Sequence, residues 1–129
     1  MSHYTTIEVK LSIHDIEAIR DACAELKLKI RAGGIVRYYF SHNQQHADYV
    51  VSIPGCPYDV GLVKDGNGNF KLVYDDYQGY VEKALGKGCH KLIQSAIFHK
   101  IRRKSVSMGK HIFKQQKSGS NSLFVEITI

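Results

Sequence analysis

Tyr58–Tyr77, YDVGLVKDGNGNFKLVYDDY, is the stretch that decides the fold. Its two flanks, Asp59 to Val63 and Phe70 to Tyr74, are rich in β-branched and aromatic residues and enclose Asp65-Gly66-Asn67-Gly68-Asn69. Asp-Gly and Asn-Gly pairs tolerate the positive φ angles of a tight turn, so the stretch predicts an antiparallel hairpin. The same five residues place oxygen-bearing side chains at the first, third and fifth positions, as a calcium loop does. The sixth position, however, is Phe70 where such a loop needs glycine, and the twelfth is Asp76 where it needs a bidentate glutamate. A hairpin turn accounts for all five residues.

Upstream, Ile7, Val9 and Leu11 alternate with Thr6, Glu8 and Lys10 over residues 4–11, the period of two of a half-buried strand. Ser12 and Asp15 stand three apart in a relative of the capping box. Ile16, Ile19, Cys23, Leu26 and Ile30 then recur every three or four residues, predicting a helix over 13–30. Lys27, Lys29 and Arg31 are expected to complement its carboxy terminus, and Gly33-Gly34 to end it. Ile35 to Phe40 reads as a strand, Ser41 to His46 as an exposed loop, and Ala47 to Ile53 as a strand stopped by Pro54-Gly55-Cys56-Pro57.

Downstream the period changes to about 3.6. Val81, Ala84 and Leu85 predict a short lead-in helix, and Cys89, Leu92, Ile93, Ala96, Ile97 and Ile101 predict a longer one over 87–105, with Gly86 and Gly88 weakening the junction. Gly109 is the expected stop. Lys110 to Gln115 and Leu123 to Ile127 complete the chain as a hairpin around Ser118-Gly119-Ser120-Asn121. The expectation is an α+β fold in one domain, residues 1–129: a mostly antiparallel sheet with two main helices packed on one face.

The 129 residues carry three cysteines, Cys23, Cys56 and Cys89, an odd number without a CxxC pair, which argues against a disulfide framework. The amino terminus shows no charged leader followed by an apolar core, and no run approaches the ~20 apolar residues of a membrane span, so a soluble, unexported protein with no membrane partner is expected. The formal charge of +6 is unevenly distributed. Residues 1–78 hold 8 Lys and Arg against 10 Asp and Glu, a balance of −2, whereas 79–129 hold 10 against 2, a balance of +8. A basic surface from the carboxy-terminal third follows.

The chain resembles the hypothetical chloroplast reading frame thirty-five family, small proteins of cyanobacteria and algal plastids. The likeness is carried by Met1-Ser2-His3-Tyr4, Thr6-Ile7, Tyr58-Asp59-Val60-Gly61, the Leu72-Val73 strand, and a final helix followed by a hairpin. Where the family carries a tryptophan after the central hairpin, this chain has Asp75-Asp76-Tyr77-Gln78. The resemblance implies the fold, a prokaryotic cytoplasm or plastid stroma, and assembly work alongside a chaperone-like ATPase as partner. It implies no reaction.

No catalytic, cofactor or metal constellation emerges. His42 and His46 with Cys56 lack the second close ligand pair of a structural zinc site. His90, His99 and His111 have no serine or cysteine in a nucleophile context, and Cys23 and Cys89 fall on apolar helical faces. Two clusters remain. Tyr74, Asp75, Asp76, Tyr77 and Tyr80 form an acidic-aromatic group at the hairpin's exit; its adjacent carboxylates should point to opposite faces of a strand, and the group suits an interface rather than acid–base work. Lys100, Arg102, Arg103 and Lys104, extended by Lys110, Lys114 and Lys117, form a basic helix end. The leading expectation is a non-enzymatic adaptor or assembly protein that binds another protein. The alternative is an RNA- or DNA-binding module that neutralises phosphates with the basic patch.

Overall fold

In the computed structural model, residues 4–37, 45–107, 109, 111–116 and 123–128 are described, with side chains over 10–37 and 46–107. The hairpin forms as expected, from β6 (Asp59–Lys64) and β7 (Asn69–Asp75). Asp65 organises the turn: its Oδ1 accepts from the backbone amides of Asn67 and Asn69 at 2.8 and 3.0 Å, and Gly68 adopts φ 80°. That oxygen is thus engaged by N–H donors. Ile13 N donates to Gly68 O at 3.0 Å and ties the turn to the start of the first helix.

Around the hairpin stands a five-stranded antiparallel sheet in the order β1-β7-β6-β5-β2, with β1 at Tyr4–Ser12, β2 at Lys29–Ala32 and β5 at Tyr49–Ser52. The registers Ile7↔Leu72, Leu62↔Leu72, Tyr49↔Leu62, Val51↔Val60 and Ile30↔Val51 bring the apolar positions of all five strands to one face. Against that face pack α1 (Ile16–Glu25), the short α2 (Tyr80–Leu85) and the long α3 (His90–Ser107). Ile19, Ala22 and Cys23, then Val81 and Leu85, then Leu92 and Ala96 bury themselves on Val60, Leu62, Phe70 and Leu72. The fold is α+β, with its two main helices on one side of the sheet.

The Ser12–Asp15 capping box is present: Ser12 N donates to Asp15 Oδ2 at 2.8 Å, and His14 N donates to Ser12 Oγ at 3.2 Å. The helix it starts is shorter than expected. It ends at Glu25 because Lys27 turns left-handed (φ 59°), with Leu28 N donating to Cys23 O and Lys27 N to Ala24 O, the paired bonds of a Schellman ending. Lys29 and Arg31 therefore lie on edge strand β2 and not on a helix end. Leu26, Leu28 and Ile30 fit a period of two as well as Cys23, Leu26 and Ile30 fit the helical one, and pairing with β5 decides between them.

The opposite face of the sheet is closed by a small two-stranded ribbon, β3 (Ile35–Val36) with β4 (Gln45–His46). Val36 and Ala47 sit on Val50 and Val63. The ribbon can come this close because position 61 is glycine: a Cβ there would lie 2.6 Å from Val36 Cγ2 and 2.8 Å from Val73 Cγ2. Residues 38–44, which contain half of the expected strand 35–40 and most of the expected loop 41–46, lie outside the described residues, and Gln45 and His46 at the end of that loop form a strand instead, held by pairing with β3. A further ribbon, β8 (His111–Gln116) with β9 (Leu123–Thr128), runs beside α3 close to the expected bounds. Among the described residues no helix is long and apolar enough to cross a membrane.

Candidate functional site

The chain leaves β7 through the acidic-aromatic group, and the backbone there dictates which of its members face water. Asp75 Oδ1 accepts from Tyr77 N at 2.9 Å, so Asp75 and not Asp76 caps the following turn. Gln78 (φ 58°) and Gly79 (φ 67°) are both left-handed and reverse the chain, so that α2 begins at Tyr80. A left-handed conformation costs a non-glycine residue about 1 kcal/mol, which marks Gln78 as a position held by its surroundings.

This arrangement divides the five residues. Tyr74 is fully buried, and its hydroxyl donates to Glu82 Oε2 at 2.9 Å, while Gly88 N donates to the same oxygen at 2.8 Å. Burial and then the Glu82 bond push the Tyr74 hydroxyl well above its ordinary range. Tyr74 is thus a tie between β7, α2 and the lead-in to α3, and not an exposed contact residue. Asp75 is also fully buried. Asp76 is half-buried, and its Oδ1 lacks a hydrogen-bond partner among the described residues. Tyr77 is half-buried against the core. Tyr80 alone presents a large area, being 42% exposed. Its ring meets Tyr58 edge-on at 5.8 Å, and Lys83 Nζ stands 5.9 Å from its centre.

The basic cluster meets an acidic helix. Lys100 Nζ lies 3.2 Å from Asp15 Oδ2, and Arg103 donates to both oxygens of Asp21 at 2.5 and 3.0 Å, with Arg102 at 3.9 Å from the same carboxylate. The Arg103 bond holds the Asp21 carboxyl below the ordinary carboxylate range. Lys104 is exposed and has no carboxylate partner among the described residues. Side chains of Lys110, Lys114 and Lys117 lie outside the described residues. In the same α1–α3 seam, Glu25 accepts from Ser95 Oγ at 3.0 Å and lies 3.1 Å from His99 Nε2. The glutamate stands between serine and histidine, so the imidazole does not activate the hydroxyl.

The remaining described sulfur and imidazole groups form no cluster with metal-ligand character. Cys23 and Cys89 are buried, and burial pushes both thiols up to about 12. His46 is exposed and Cys56 half-buried, His90 Nδ1 lies 3.2 Å from Lys87 O, and the side chains of His42 and His111 fall outside the described residues. Among the described residues, no three His, Cys, Asp or Glu side chains gather as a metal site would require.

Sequence reasoning did not single out Arg37 and Asp59. Asp59 is fully buried on the ribbon-covered face of β6, and Arg37 clamps it with its backbone amide at 3.0 Å, Nε at 3.1 Å and Nη2 at 2.8 Å. Continuing the Gly61↔Val73 register places Asp59 opposite Asp75, so two buried carboxylates share one end of the sheet. The available signal was the charge at the head of Asp59-Val60-Gly61-Leu62-Val63, in phase with Gly61 and Val63 rather than with the helix-facing Val60 and Leu62.

Compared with known proteins, the chain matches no family model, no curated protein and no solved structure.

Proposed function

We propose that the protein is a non-enzymatic adaptor that binds another protein through a contact centred on Tyr80. The observation that carries this reading is the presentation of Tyr80. A large ring, 42% exposed, is backed edge-on by Tyr58 and held out by the left-handed pair Gln78-Gly79. A ring already fixed by its neighbour loses little freedom on binding and offers both apolar area and a hydroxyl, which is why tyrosines dominate interface cores. Lys83 beside it supplies charge for orientation. The resemblance described above suggests a chaperone-like ATPase as the partner, in a prokaryotic cytoplasm or plastid stroma. What weighs against the nucleic-acid alternative is that Lys100, Arg102 and Arg103 already face Asp15 and Asp21, leaving Lys104 as the cation of that patch without a described carboxylate partner.

A photo-crosslinking amino acid at position 80, compared with one at exposed Lys10, tests the reading. One discrete protein adduct at 80 that is absent at 10, together with loss of co-purification in Tyr80→Ala, is the expected outcome. Equal labelling at both positions overturns it. Salt-dependent retention on a nucleic-acid column that is lost on reversing Arg102, Arg103 and Lys104 to Glu would favour the alternative.

A further inference from the structure

The end of the sheet that holds Asp59 also carries an open pocket of about 440 Å³, lined by Lys29, Arg37, Ser52, Pro54, Gly55 and Cys56 among others. Three strands or their extensions bring its polar groups together. Lys29 projects from β2 directly opposite Ser52 of β5, and Ser52 stands opposite Asp59 of β6, where Arg37 is anchored. The donors of this pocket are prepared in advance. Arg37 spends Nε and Nη2 on Asp59, and Nη2 also on the carbonyl of Cys56 at 3.2 Å. That fixes the plane of a guanidinium whose side chain is still 54% exposed, and leaves Nη1 without a partner among the described residues. Ser52 Oγ accepts from Arg31 Nη1 at 3.1 Å, so its own proton is available to donate. Lys29 is exposed and has no carboxylate partner among the described residues, and neither has Arg31.

From these groups we infer that the pocket is an anion-binding site for a phosphate group, taken as the free ion or as a phosphomonoester. Lys29 and Arg31 supply two unneutralised positive charges; Asp59 is answered by Arg37, and Asp75 lies one strand further on, fully buried. An ammonium, a hydroxyl and a fixed guanidinium nitrogen are three donor groups of different direction. They suit a tetrahedral dianion with three free oxygens better than a planar carboxylate, which an arginine fork grips with two parallel bonds. Here that fork is already occupied by Asp59. None of the pocket's residues belongs to the tyrosine contact, so loss of either function leaves the other measurable.

Cys56 provides the reporter. It is half-buried in the pocket wall, whereas Cys23 and Cys89 are buried with thiols pushed up to about 12. The folded protein is treated with iodoacetamide, a neutral reagent, while inorganic phosphate replaces chloride at constant ionic strength. Alkylation of Cys56 should slow saturably, by about tenfold when the site is about nine-tenths occupied. Lys29→Gln, a change on an exposed edge strand, should remove the protection. Glycerol phosphate in place of inorganic phosphate separates the two sources, tighter protection by the ester identifying a phosphomonoester site. Protection that acetate reproduces at equal ionic strength, or that survives Lys29→Gln, overturns the inference. Backbone amide shifts in the same titration give a second readout on the unaltered protein: movement of Ser52, Gly55 and Cys56 supports the site, and movement confined to Lys100–Lys104, or none, refutes it.

Discussion

The two faces of the sheet use the same strands and solve burial in opposite ways. On the helix side, Leu62, Leu72 and Phe70 meet three helices in a largely apolar seam, where each fully buried side chain contributes on the order of 2 kcal/mol. On the ribbon side the contact is made by subtraction: Gly61 admits Val36 and Ala47, and one end is sealed by a buried carboxylate under an arginine. The helix side spreads its stability over many similar apolar contacts, each of which leaves a cavity when truncated. The ribbon side depends on single residues, and it is the side that carries the polar pocket.

Leu62→Ala should give the largest effect, about 3–4 kcal/mol by urea denaturation, because it opens a cavity within the fully buried core. Arg37→Met should follow at about 3 kcal/mol, since it leaves the Asp59 carboxylate buried without its counter-charge. A loss near zero would show that this face does not rely on the clamp. Gly61→Ala should cost about 2 kcal/mol by overpacking, and Val36→Ala should restore part of that loss while doing nothing for Leu62→Ala. Additive losses in the Gly61 and Val36 pair would erase the distinction between the faces.

Two smaller changes probe the helix side alone. Lys27→Gly should stabilise by about 0.5–1 kcal/mol, as the helix ending no longer holds a side chain in a left-handed conformation. The Asp21–Arg103 pair should appear in the acid limb. Because the folded carboxyl is held below the ordinary 3.8, its contribution is present above that pH and is lost as pH falls through the lowered folded value. In a series of urea midpoints against pH, Asp21→Asn should lower the midpoints above about pH 4, converge with the unaltered protein at the acid end, and so flatten the decline between them.

What was legible in the sequence follows the same division. The hairpin, the Ser12–Asp15 box and the face of α3 carrying Leu92 and Ala96 depend on neighbours a few residues away, and these local patterns translate directly into structure. The expected helix over 13–30 runs on into the start of β2 because Cys23, Leu26 and Ile30 fit the helical period as well as Leu26, Leu28 and Ile30 fit the strand one, until β5 is there to pair with them. Arg37 and Asp59 are 22 positions apart, and Asp21 and Arg103 are 82 apart, so no spacing rule joins them. The basic cluster was visible as charge, but its partners on α1 were not. The hairpin's exit was visible as composition, yet the burial of Tyr74 and Asp75 required knowing where β1 and Glu82 would lie.

The strand order β1-β7-β6-β5-β2 has a consequence for assembly of the molecule in time. Strands β5, β6 and β7 follow one another over residues 49–75 and close by short loops, so they can pair early at little entropic cost. The outermost strands both come from the first 32 residues, run parallel to each other and are joined by α1. That leading segment therefore works as a clasp: it must find both borders of a preformed meander at once, and once α1 is seated neither border can peel away without lifting the helix that joins them.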